Sequence, residues 1–104
     1  MRNPIRYKVW YMKPEHFRTY IMGTEVPDPN RLSETHVYLK TIECGGPNAA
    51  FSIMQGENWS PNGEARELIE KKGLSHTSMS VGDVLEEVNS GKKIACASVG
   101  WKEI

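Results

Sequence analysis

The side chains able to do chemistry are few: His16, His36 and His76, the cysteines Cys44 and Cys96, and the adjacent acids Glu86 and Glu87. Neither cysteine has a partner at the two-to-four-residue spacing of structural zinc ligands, and the histidines are scattered along the chain, so no metal and no cofactor are expected. Gly45-Gly46-Pro47 is no phosphate loop, because no Lys-Ser/Thr follows and proline removes a donor that an anion nest would need. Cys44 stands just before a predicted helix start, where the positive end of the helix dipole would favour a thiolate, with His36 or His76 as its base. A small cysteine-dependent enzyme is therefore one alternative. Glu86 and Glu87 do not suit paired-carboxylate catalysis, since neighbouring side chains on a strand point to opposite faces. No catalytic residue is assigned, and whether the protein is an enzyme stays open, with a non-catalytic role favoured.

The elements that must position these groups are legible from periodicity. Ile5 to Met12 alternates Ile5, Tyr7, Val9 and Tyr11 with Arg6, Lys8, Trp10 and Met12, which predicts a first strand. Pro14 opens a short helix to about residue 22, with Phe17, Tyr20 and Ile21 on one face and Gly23 as its stop. Pro27, Asp28, Pro29 and Asn30 make Thr24 to Ser33 a loop. Thr35 to Glu43 reads as a second strand, with Val37 and Leu39 facing one way and Tyr38 and Ile42 the other. Helices are predicted at about 47–56, with Ala50, Phe51, Ile53 and Met54 as the apolar stripe, and at 64–72, with a polar loop at 56–63 between them. The second helix has acids at its start, lysines at its end, and Gly73-Leu74 as a left-handed cap with its hydrophobic contact. Val81 to Val88 and Lys92 to Glu103 then form two strands joined at Asn89-Ser90-Gly91, with Ala95, Ala97, Val99 and Trp101 sharing a face. The order β-α-β-α-α-β-β predicts an α+β fold: a small antiparallel or mixed sheet of about four strands with two or three short helices packed on one face.

The chain has 104 residues, a single-domain length. Thirteen basic and thirteen acidic groups cancel, which removes global attraction to nucleic acid or to an anionic membrane as the main driving force. No apolar run approaches the ~18 residues of a membrane span, and Met1 to Tyr7 lacks the apolar core of a secretory signal. A cytoplasmic protein with both cysteines reduced is expected.

Binding is the more productive reading. Trp59 in a polar loop, Tyr38 and Trp101 are candidate hot spots for a protein partner, where tryptophan and tyrosine are enriched. Arg6, Lys8, Trp10, Lys13 and Arg18 form the alternative, cations beside an aromatic plane as single-stranded nucleic acid requires. Gly82 and Asp83 serve a structural turn: Ser80-Val81-Gly82-Asp83 has glycine at the third place of a type II turn, where φ must be positive, and Asp83 can tie back to the turn's own backbone.

Ser78-Met79-Ser80-Val81-Gly82-Asp83-Val84, followed after the hairpin by Ser98-Val99-Gly100-Trp101, resembles the YodL-like domain, a poorly characterised family in proteins of bacterial mobile elements and phages. Residues 78–101 carry the likeness. The family's histidine falls one place later than His76, over Thr77, and Val99 replaces an aromatic. Taken whole, the chain is similar to small uncharacterised bacteriophage proteins through Val9-Trp10-Tyr11-Met12 and Trp59-Ser60-Pro61-Asn62-Gly63-Glu64-Ala65-Arg66. Neither family has an established activity; a small neutral domain without a catalytic constellation that resembles mobile-element proteins is read as a binding or modulating protein, expected to contact a host component in the host cytoplasm.

Overall fold

A computed structural model describes residues 4–22 and 25–104. Met1 to Asn3 of the leader reading, the helix stop at Gly23 and the loop residue Thr24 lie outside the described residues. The fold is α+β, built on one five-stranded antiparallel sheet in the order β2-β1-β3-β4-β5. β1 (Ile5–Met12) occupies an inner position because its alternation suits both neighbours. Tyr7, Val9 and Tyr11 are buried on one face, and Arg6 and Lys8 are exposed on the other.

After β1, a 3-10 turn (Pro14–His16) runs into α1 (Phe17–Tyr20), which buries Tyr20 but leaves Ile21 exposed. The predicted loop is partly helical: Asp28 accepts from the Asn30 N–H at 2.9 Å and caps a 3-10 turn (Pro29–Arg31) that leads into α2 (Leu32–Thr35). An aspartate before a proline is a good cap, so Pro29 starts a helical turn here instead of excluding one, while Pro27 stays in the irregular stretch before it. β2 (His36–Cys44) pairs with β1, and its register shifts opposite Val9 and Trp10, where Leu39 and Lys40 together fill one step. This bulge changes the phase of the strand. Val37 and Ile42 therefore end on the same face, opposite Tyr11 and Tyr7, contrary to strict alternation.

Between β2 and β3 the chain lays α3 (Pro47–Ile53), α4 (Gly56–Trp59) and α5 (Arg66–Lys71) over one face of the sheet. The predicted polar loop at 56–63 thus begins with a helical turn. In α3, Ala50 and Met54 are buried four residues apart, whereas Phe51 and Ile53 are exposed. With Ala65, Ile69, Leu74 and Met79 they cover Tyr7, Val9, Tyr11, Ile42 and Leu85, forming the main core. The opposite face holds a smaller cluster in which Leu32 of α2 covers Val84 and Ala95, with Trp10 and Ile104 at its margin. Helical turns therefore touch both faces, not one.

β3 (Val84–Glu87) and β4 (Lys93–Cys96) form the expected hairpin, shorter than the predicted strands. The last predicted strand is two. Ala97 donates to the Gly100 carbonyl at 3.0 Å, Gly100 has φ +71°, and the chain reverses into β5 (Trp101–Glu103). Ala95 and Trp101 accordingly fall on opposite faces, and Val99, 91% exposed, sits at the tip of the reversal.

Ser80 to Asp83 closes a turn in which Asp83 N–H donates to the Ser80 carbonyl at 3.0 Å and Gly82 has φ +99°. A Cβ on Gly82 would lie 2.6 Å from Tyr20 Cβ and 2.9 Å from Met12 Sδ. Tyr20 Cβ is tied to backbone and cannot retreat. Gly82→Ala is expected to destabilise the protein by roughly 2–4 kcal/mol, from positive-φ strain plus overpacking, measured as a lowered urea midpoint.

Candidate functional site

The polar groups with chemical potential collect at one end of β1, around a buried carboxylate. Asp83 is fully buried and receives three donors: Met12 N–H at 2.9 Å on Oδ1, and Ser80 N–H and His76 Nε2–H, each at 2.8 Å, on Oδ2. The imidazole of His76 stacks on Tyr11 with centroids 4.4 Å apart and takes Phe17 edge-on at 4.7 Å. Its Nδ1 is buried and has no partner among the described residues. Tyr11 donates its hydroxyl to the Thr77 carbonyl at 2.7 Å and lies 3.2 Å from that of Met54, and burial, with Asp83 close by, pushes its phenol far above the ordinary range.

His36 closes the same cluster from β2. A carbonyl oxygen only accepts, so Nε2–H donates to Gly82 at 2.7 Å and Nδ1 accepts from the Thr35 hydroxyl at 2.7 Å. Burial lowers its pKa, against the opposing pull of the Gly82 carbonyl and Asp83. The His76–Asp83 pair is thus enclosed by aromatic rings, and among the described residues no serine or threonine hydroxyl and no cysteine thiol is hydrogen-bonded to it. The arrangement orients backbone.

Neither cysteine thiol is hydrogen-bonded to the side chains of this cluster. Cys44 ends β2 where His36 begins it, a separation of ~26 Å at 3.3 Å per residue, and its thiol donates to the Gly46 carbonyl at 3.4 Å. His76 belongs to the His36 end. Both cysteines are free and buried, and burial, with the Asp83 carboxylate nearby, pushes the Cys96 thiol up to about 11. A thiolate-imidazole pair is not assembled. Among the described residues no group of three His, Cys, Asp or Glu could hold a metal ion, and no helix is long and apolar enough to cross a membrane.

The aromatic candidates separate. Trp59 is half-buried against the main core, donates Nε1–H to the Thr77 carbonyl at 3.0 Å and carries Lys40 Nζ 5.2 Å from its ring centroid. It braces the helical layer. Tyr38 is exposed on the opposite face of the sheet, its hydroxyl 2.7 Å from that of Thr41 and its ring edge-on to Trp10. Trp101 lies at the far sheet edge, with Phe51 edge-on at 6.5 Å and Nε1–H donating to Asn48 at 3.1 Å.

Arg6, Lys8 and Trp10 share the open face with Tyr38, whereas Lys13 is half-buried beyond the strand and Arg18 sits on α1. Acids interrupt this strip: Glu43 stands opposite Arg6 and Glu86 opposite Lys8, and Glu86 accepts from Trp10 Nε1 at 3.0 Å while lying 3.8 Å from Lys93. Carboxylates in those places oppose phosphate. A groove of about 450 Å³, lined by His16, Tyr20, Asp28, Arg31, Glu34 and Thr35, has its arginine paired with Glu34 at 2.9 Å.

Two smaller clefts, about 220 and 200 Å³, share Trp101 as a wall. Phe51, Ala97 and Gly100 line one, and Tyr7, Pro47 and Ile94 the other. Sequence reading singled out Trp101 but missed Phe51, Pro47 and the chain reversal that makes Trp101 an edge residue. The signal was present in Gly100, whose positive φ permits the turn. Compared with known proteins, the chain matches no family model, no curated protein and no solved structure.

Asp83→Asn leaves one of the converging N–H groups facing an amide donor, and a loss of about 2–4 kcal/mol is expected by urea denaturation. His36, whose folded pKa is depressed, contributes stability that is complete above its unfolded value near ~6.5 and fades as pH falls toward the folded value. The urea midpoint should therefore drop between pH 7.5 and 5. His36→Asn should flatten that slope whatever its effect on the midpoint at neutral pH.

Proposed function

We propose that the protein is a small non-catalytic module that acts by binding another protein, with a host component as the partner and the host cytoplasm as the setting that the resemblance of residues 78–101 to mobile-element and phage proteins implies. One observation carries the reading: Trp101 and the exposed Phe51 stand together at a sheet edge, between two clefts. Tryptophan concentrates binding energy when it has walls to be sealed against, and apolar groups beside shallow clefts provide them. The enclosed Asp83 carboxylate supports a binding role as well, because both of its oxygens are engaged by donors inside the fold.

Nucleic-acid contact through Arg6, Lys8 and Trp10 is the second reading, favoured by their shared open face and weakened by Glu43 and Glu86 among them. The immobilised protein is expected to retain a specific protein from a host lysate. Phe51→Glu, at an exposed position, should keep the unfolding midpoint within about 0.5 kcal/mol and abolish retention. Retention of RNA or DNA that is lost steeply with salt, and that survives Phe51→Glu, would transfer the function to the open sheet face.

A further inference from the structure

β5 ends the sheet, and the register shows which of its backbone groups are free. Ala97 N–H donates to Gly100 and Ile104 N–H donates to Lys93, so the hydrogen-bonded pairs are 97 with 100, 95 with 102 and 93 with 104. By the alternation of an antiparallel ladder, the N–H and C=O groups of Trp101 and Glu103 point away from β4, to the open edge. Two donors and two acceptors without a partner among the described residues are thus presented along the edge that carries Trp101. An unpaired edge of this kind is a template for another strand.

Self-pairing is disfavoured by charge. Joining two copies of β5 antiparallel through these groups places Trp101 opposite Glu103 and therefore Lys102 directly opposite Lys102, like charges at cross-strand distance. Lys102 lies on the face that carries Ala95 and, on β4, Lys93. An incoming strand is best matched by an acid opposite Lys102, with apolar residues on either side of it directed to the face of Trp101.

We propose, resting on the protein-binding reading above, that β5 recognises an extended segment of its partner by strand addition, the segment carrying an apolar–acidic–apolar triplet. The main-chain groups of Trp101 and Glu103 supply the ladder bonds. Lys102 reads the acid, and the flanking apolar side chains fall on the face of Trp101, one of them beside its ring, the division of labour that strand addition uses elsewhere.

The test uses the full chain and a capped nonapeptide, Ser-Thr-Thr-Val-Asp-Val-Thr-Thr-Ser, followed by backbone amide NMR and hydrogen exchange. Saturable shifts are expected, with slowed exchange at Trp101 and Glu103. A peptide with Lys replacing the central Asp should bind about threefold or more weakly, and Lys102→Glu should reverse that preference. Methylating the amide nitrogens that face β5 should abolish binding by either peptide. Shifts with no slowed exchange at Trp101 and Glu103, protection along β2 instead, or a preference unmoved by Lys102→Glu would overturn strand addition while leaving protein binding intact. Absence of peptide binding together with Phe51-dependent retention of a host protein would overturn the inference alone; absence of both would remove the reading beneath it.

Discussion

The buried carboxylate of Asp83 is the constraint on which the rest of the structure depends. It sits where the end of β1, the turn before β3 and the segment leading out of α5 meet, and each supplies an N–H group to it. Without that acceptor, three donors would be left in an apolar interior, each costing about 1–3 kcal/mol. The turn it organises is bonded in turn to β4: Gly82 N–H donates to Cys96, and Cys96 N–H donates to Asp83. One side chain thereby fixes the relative positions of β1, β3 and β4, and with them the edge where β5 is added.

The irregular segment 75–80 is held by the same economy of polar groups. The Thr77 carbonyl accepts from both Tyr11 and Trp59, Met79 N–H donates to Met54, and the Ser78 hydroxyl accepts from Gly56 N–H. A chain without regular structure can cross a core only if its backbone groups are satisfied. Tyrosine and tryptophan do this while filling volume, which accounts for Trp59 turning inward from the end of α4. The division between interior and rim follows: Asp83, His76 and His36 are consumed inside the fold, and β5 leaves an aromatic ring and backbone groups at the sheet edge.

Several features could be read directly from residue types. The alternation of β1, the Asn89-Ser90-Gly91 hairpin, the glycine of the Ser80 to Asp83 turn and the Gly73-Leu74 helix end are local, and local sterics decide them. Others misled because a neighbour intervened. The bulge at Leu39 and Lys40 arises only when β2 must match β1, and it moves Ile42 to the face of Val37. The expected stripe of α3 splits, since Ala50 and Met54 meet the sheet while Phe51 and Ile53 stay exposed.

Residue order by itself determined the α+β class, the alternation of β1 and positive-φ glycines such as Gly73 and Gly82, because these follow from side-chain periodicity and from glycine's missing Cβ. Tertiary structure decided which polar groups meet. Asp83 and Met12, or Trp101 and Asn48, are far apart along the chain and are joined by a sheet order that periodicity does not encode. It also decided that Trp101 is an edge residue, because whether the chain runs on or reverses at residues 97–100 depends on what space remains beside β4.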